Sequence, residues 1–379
     1  MKQLILNHLK NIRGWRTRRR LVVMDVDDYG NVRLASAEAR DALVSAGLKV
    51  GDAATNPFDR YDSLETREDL EALFEVLASV TDSSGRPAIF TVYALSANPD
   101  FARIIRDMDG YHHEWLPDTF ARLASTQPTA YQGAWELWQE GMARGFIRPQ
   151  FHGREHLHLG LFGRKMGRHD PTLMANLHAC SMAALGGDSN MPDVGFTHAF
   201  GLISASELES QRAILADGLE AFERIFGFRS ITFTPPAQQL HPALYSFVEQ
   251  QGVLGIDKEL RCIRALGDGV TRREINHLGR QRGQGHMTIV RNVLFEPGED
   301  RGYNPVDHAL AQVAAAFYWH KPAIISSHRV NYCGHIDPEH RRKGLDALRR
   351  LLAEIIRRWP DVEFVSADQL VRTMLESYA

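Results

Sequence analysis

The sequence predicts an α/β protein built on a parallel sheet, and three observations carry that expectation. Short apolar runs rich in β-branched residues alternate with stretches of helical period. Residues 21–26, 65–80 and 88–93 follow the strand–helix–strand order of a βαβ unit. Several of the strand-like runs end in acids, histidines or arginine, where parallel α/β proteins gather their sites. Finally, no repeat and no Pro/Gly/Ser linker divides the 379 residues, so one large domain is expected behind a basic leader at 1–20.

That leader carries seven Lys or Arg (Lys2, Lys10, Arg13, Arg16, Arg18, Arg19, Arg20) and no acid. Leu4, Ile5, Leu6, Leu9 and Ile12 form one apolar face of a short helix. Such a segment would touch an anionic membrane surface or a partner, or serve as a solvated leader helix. It has no apolar core or small-residue cleavage site of a secretory signal, and no run nears a membrane-spanning length. Cytoplasmic location is therefore expected. A net charge of −3 argues against a nucleic-acid partner. Cys180, Cys262 and Cys333 are far apart and odd in number, which fits a reducing compartment.

Residues 21–30 (Leu-Val-Val-Met-Asp-Val-Asp-Asp-Tyr-Gly) read as a buried strand running into a Tyr-Gly break. Residues 31–48 are polar and partly helical. Residues 65–80 carry apolar positions at helical spacing, and 83–87 break them before the second strand at 88–93. A helix is expected over 131–144, ended by Gly145. Residues 146–151 form a short strand despite Pro149. Residues 160–199 are glycine- and methionine-rich, with a helix near 171–185. Ser204 and Glu207 cap a long helix that stops at Gly227. Strands are expected at 231–234 and 322–329. A Leu-rich helix, a strand at 362–365 and a helix capped by Ser366 and Gln369 close the chain.

Four strand ends are chemically loaded: Asp25/Asp27/Asp28, His152/His156, the corner Thr234-Pro235-Pro236, and His328-Arg329. With 17 histidines, about one His-x-x-x-His is expected by chance, so the signal lies in its place directly after a strand. Two histidines so spaced and one carboxylate make a three-ligand shell with open positions for water and substrate. Asp25 shares a face with Asp27 but sits deeper, and reads as structural. His112, His113, His335 and His340 read as solvated loop residues. Cys333 lies near a loaded strand end but has no assigned base, and is rejected as a nucleophile.

These blocks resemble the polysaccharide deacetylases of the NodB-homology fold, carbohydrate esterase family 4. The first motif of that family, Asp-Asp-Gly, is matched by Asp27-Asp28-Tyr29-Gly30 with one residue inserted. His152-Gly153-Arg154-Glu155-His156 matches the second, and 324–328 the late strand that delivers a histidine. Phe364-Val365-Ser366-Ala367-Asp368-Gln369-Leu370 is similar to the closing pattern. The resemblance implies a distorted (β/α) barrel with inserted helices and loops at about 98–145 and 157–228. It implies Asp27 as general base, Asp28, His152 and His156 as ligands of a divalent metal, most simply Zn²⁺, and His328 as general acid. The activity implied is metal-dependent removal of an acetyl group from an N-acetylated sugar or glycan precursor. Two departures stand out. Thr234 occupies the place of an arginine that would pair with the base, with Arg329 or Arg154 as candidate substitutes. The Asp-x-Trp motif that would tune the catalytic histidine is missing between 256 and 296. A carboxylate-based glycoside hydrolase on a related barrel, and a non-catalytic glycan-binding protein, are the rival expectations.

Overall fold

The computed structural model describes residues 2–51, 56–187, 194–281 and 283–378. Its centre is a parallel sheet of β1 (Arg20–Tyr29), β2 (Phe90–Leu95), β3 (Ile147–Gly153), β4 (Thr232–Phe233), β5 (Gly255–Asp257), β6 (Met287–Ile289), β7 (Val293–Leu294), β8 (Ala323–His328) and β9 (Val362–Phe364). The spatial order runs β6-β5-β4-β3-β2-β1-β8-β7, with β9 beside the start of β1. A two-residue strand, Gly279–Arg280, adds to β6 antiparallel.

The expected α/β class built on a parallel sheet is what forms, and the two ends of the sheet meet through the chain itself. Among the described residues no ladder joins β6 to β7. Instead the chain passes from β6 to β7 through Val290-Arg291-Asn292, changing partners from β5 to β8 within three residues. Asn292 seals the joint. Its amide donates to Ile324 O (3.1 Å), its Oδ1 accepts from Ile324 N (2.8 Å), and its Nδ2 donates to Pro322 O and Asn11 Oδ1.

Alternation along β1 divides the core into two layers. Val22, Met24 and Val26 join the outer cluster beneath the helices. Leu21 and Val23 pack inward with Ile289, Ile324 and Met287, and the closing helix Ala367–Glu376 plugs this layer with Leu370, Val371 and Met374. Each such buried aliphatic contributes roughly 1.5–3 kcal/mol. One end of the sheet's inner layer is thus apolar, and the loaded residues sit at the C-terminal strand ends.

The segment between β2 and β3 folds into short helices, among them Leu116–Thr126 and Ala134–Ala143. The helix expected over 131–144 is split, because Gly133 is left-handed at φ +82 where the second helix starts. Between β3 and β4 lie Leu159–Gly167, Pro171–His178 and the long helix Leu208–Phe226, which ends on left-handed Gly227; residues 188–193 are outside the described set. The helix capped by Ser366 carries the expected capping box.

The leader packs on the barrel. Its helix Lys2–Leu9 lies against the helix Pro305–Tyr318, and Lys321 Nζ donates to Trp15 O (2.6 Å) and to Gly14 O. Leu4, Ile5, Leu6, Leu9 and Ile12 stay exposed. No helix among the described residues is long and apolar enough to cross a membrane. His340, expected in a solvated loop, is buried in the first turn of the helix Pro338–Arg358. There it stacks on Tyr61 at 4.2 Å with Nε2 on Val330 O.

Candidate active site

Asp27 and Asp28 reach one cavity because β1 is irregular there. Its register against β2 slips between Val26 and Tyr29, and Asp28 is left-handed at φ +72. A regular strand would send the two carboxylates to opposite faces; the bulge turns both to the barrel mouth, at a backbone cost of roughly 1–3 kcal/mol. The loop behind is pinned by Glu65, which accepts from Gly30 N (3.2 Å), Trp138 Nε1 (3.0 Å) and Arg329 Nη1 (2.9 Å).

Opposite Asp28, β3 ends at His152 and a tight loop presents His156. Asp28 Oδ1 lies 3.3 Å from His152 Nε2 and 3.1 Å from His156 Nε2, and one donor atom from each residue falls within 4.8 Å of the others. His152 Nδ1 donates to Thr234 O at 2.7 Å, which leaves Nε2 as the lone-pair nitrogen. Burial pushes the His156 imidazole down, against the pull of Asp28. Burial would raise the Asp28 carboxyl, but His156 and the two histidine hydrogen bonds hold it well below its usual range. An anionic oxygen facing two imidazole nitrogens, with one tautomer fixed from behind, fits a divalent cation bound by two histidines and a carboxylate.

Asp27 is gripped by a residue that the sequence reading did not single out. Arg291, at the β6–β7 joint, donates Nη1 to Asp27 Oδ2 (2.7 Å) and Nη2 to Asp27 Oδ1 (2.6 Å), a bidentate pair, and Nη2 also reaches Thr234 Oγ1 (3.1 Å). Its Nε lies 2.8 Å from Asp257 Oδ2 and 3.7 Å from Asp25 Oδ2. Neither expected substitute does this work. Arg329 is buried behind the site on Asp62 and Glu65, and Arg154 is held by Glu155 (2.7 Å) and Asp217 (2.8 Å). Burial works to raise the Asp27 carboxyl, yet the charge and hydrogen bonds of Arg291 bring it below its usual value. Asp25, fully buried, is pushed up to about 8 by burial despite Arg291.

His328 stands level with Asp27 in the β1–β8 register, its Nε2 3.8 Å from Asp27 Oδ2. Its Nδ1 donates to Glu296 Oε1 at 2.7 Å, and Asn331 Nδ2 holds the other Glu296 oxygen at 2.6 Å. Burial opposes the imidazolium, but Glu296 and the nearby aspartates raise His328 to about 10. The Phe58 ring meets the imidazole edge-on at 5.0 Å. Cys333 is buried with its thiol pushed well up by burial, and donates to Ser63 O, as suits an unreactive side chain.

These groups line one cavity of about 540 Å³, with Arg33, His198, Thr197 and the corner from Pro235 to Gln239 on its walls. That corner is unusual: Ala237 and Gln238 are both left-handed, at φ +53 and +52. Among the described residues the Ala237 amide has no hydrogen-bond acceptor, although Gln238 N and Gln239 N are both paired.

No protein-family model matches the chain, and no curated protein does. Solved structures align along most of its length. One from Mycobacterium smegmatis, described as a polysaccharide deacetylase, is 12% identical over 97% of this chain and 94% of its own, with a TM-score of 0.43. One from Parabacteroides distasonis, described as a glycoside hydrolase/deacetylase, is 11% identical over 96% and 72%, with a TM-score of 0.47. The 4-alpha-glucanotransferase from Thermococcus litoralis is 8% identical over 93% of this chain and 40% of its own, with a TM-score of 0.45. Likenesses this distant carry no residue roles, so the chemistry must stand on the site's own geometry.

Proposed function

We propose that this chain is a metal-dependent hydrolase that removes an acetyl group from an N-acetylated amino sugar. The observation that carries the reading is the juxtaposition, on one cavity, of Asp28 with His152 and His156, beside a carboxylate held anionic and an imidazole held cationic. Zn²⁺ is the simplest occupant of such a donor set.

When bound, a divalent cation would acidify a water and polarise the acyl carbonyl. Asp27, kept as a carboxylate and oriented by Arg291, accepts the proton of the attacking water. The free Ala237 amide donates to the oxyanion of the tetrahedral adduct, a contribution of the order of 3 kcal/mol when preorganised. His328, kept protonated by Glu296, delivers its Nε2 proton to the departing amine as the C–N bond breaks, leaving acetate and the free amino sugar. Two titratable groups pushed in opposite directions across 3.8 Å are the arrangement expected of a base and an acid.

The test is acetate release from N-acetylated sugars by the full chain, before and after chelation. The reading predicts loss of activity on chelation and recovery on adding Zn²⁺. Activity indifferent to both would refute it.

A further inference from the structure

A second hollow of about 550 Å³ opens beside the catalytic cavity and shares Gln238, Glu259, Arg291 and Ser326 with it. Its walls are cationic, which a neutral acetamido sugar does not require. Lys10 comes from the leader, Arg261 from the strand Arg261–Gly267 and Arg301 from the loop before the helix Pro305–Tyr318, while His308, from that helix, accepts from Gln312 Nε2 at 2.5 Å. Four separate parts of the chain converge there.

Two of these cations, Lys10 and Arg261, have no carboxylate partner among the described residues. Lys10 Nζ has one partner, the amide oxygen of Gln312 at 3.1 Å, and no carboxylate among the described residues lies within ion-pair distance. Burial pulls its ammonium down to about 8, the mark of a cation held without a counter-ion. Arg261 has neither an ion pair nor a side-chain hydrogen bond among the described residues, and its side chain is exposed. Arg301 is paired with Glu299. Burial, then the charges of Lys10 and Arg301, push the His308 imidazole down. Tyr303 stacks on His308 at 4.2 Å and leaves an exposed ring at the rim. Lys258 also lines the hollow, but its ammonium lies over the Tyr245 ring at 3.9 Å and is not counted. Glu259 is the one acid on the shared wall, and burial raises it.

A half-buried cation such as Lys10, with one amide oxygen as its partner, regains little of its desolvation cost inside the protein. Its natural complement is a ligand anion. Cations arriving from several directions suit a tetrahedral group with three terminal oxygens better than a planar carboxylate, which presents two.

We propose that this hollow binds a phosphoryl group carried by the substrate, so that the chain acts on N-acylated sugars esterified to phosphate or diphosphate rather than on neutral glycan. The assignment rests on the deacetylase reading for its chemistry, but the binding can be measured without turnover. Asn11, next to Lys10, accepts from Asn292, the residue after Arg291, so the leader and the β6–β7 joint are in contact beside the hollow.

The experiment compares N-acetylglucosamine, its 1-phosphate, its uridine diphosphate ester and a polyprenyl phosphate ester, with N-acetylmuramic acid as the carboxylate control. Each is tested for binding and for turnover by the metal-loaded full chain and by Lys10→Gln/Arg261→Gln. Phosphorylated sugars should bind about tenfold or more tighter than the neutral sugar, and the double variant should bring that ratio close to one through KM, with Lys10→Arg restoring part of it. Whichever phosphorylated arm is preferred identifies the source of the group. Equal binding of neutral and phosphorylated sugars, an unchanged ratio in the double variant, or preference for the carboxylate control would overturn the proposal. Phosphate-dependent binding lost in the double variant, but with no acetate released from any sugar, would keep the hollow's assignment and reject the deacetylase reading instead.

Discussion

At the candidate metal corner of the site the side chains touch one another: Asp28 Oδ1 sits within 3.3 Å of both His152 and His156 nitrogens. At the proton-transfer corner each reactive group is held by an outside partner. Arg291 grips Asp27 and Glu296 grips His328, and these partners lie five residues apart around the β6–β7 joint. The same residue type therefore does opposite jobs across one cavity. His156 is driven toward the neutral form that can bind a cation, whereas His328 is raised to about 10. Protonation here is set by placement, and one short stretch, 291–296, sets it for both the proposed base and the proposed acid.

Two substitutions act on the proposed proton-transfer corner, one on each of its partners. The larger effect is expected from Arg291→Met. It leaves Asp27 buried without its bidentate partner, beside Asp257 and Asp25, at a cost of about 3–5 kcal/mol of stability. It should also raise the Asp27 pKa. Since the base must be unprotonated, the acid limb of the kcat/KM profile should move to higher pH, and an unmoved limb would remove Asp27 from the base role. The smaller effect is expected from Glu296→Gln. Without that carboxylate the His328 pKa should fall from about 10 toward its ordinary value of about 6.5. An acid works only while protonated, so the alkaline limb should move down and activity at pH 8 should drop by about tenfold. An alkaline limb left in place would show that His328 is not the acid.

The strands that carry the metal corner were legible because each is an apolar run that stops abruptly at polar residues, with helices between them marking the βαβ rhythm. The Asp27-Asp28 pair was legible as a cluster, but not the bulge that aims both acids at one cavity, since backbone twist leaves no mark on residue type. Arg291 was missed for a physical reason. It follows Met287-Thr288-Ile289-Val290, the same kind of run, but no helix separates β6 from β7, so the rhythm that flagged the other strands falls silent there. Glu296 follows a two-residue strand too short to show a period. His340 looked like a loop residue because the helix that buries it starts only two residues earlier, at Pro338. Lys10 read as part of a solvated leader. Only the packed structure puts it at the edge of a hollow.

The most direct test of the central claim is the metal content of the purified chain and its variants by elemental analysis. One divalent metal per chain is expected in the unaltered protein and in Glu296→Gln, and its loss in Asp28→Ala. Metal absent from the unaltered chain after Zn²⁺ loading, or equally retained in Asp28→Ala, would contradict the assignment of Asp28, His152 and His156 as its ligands.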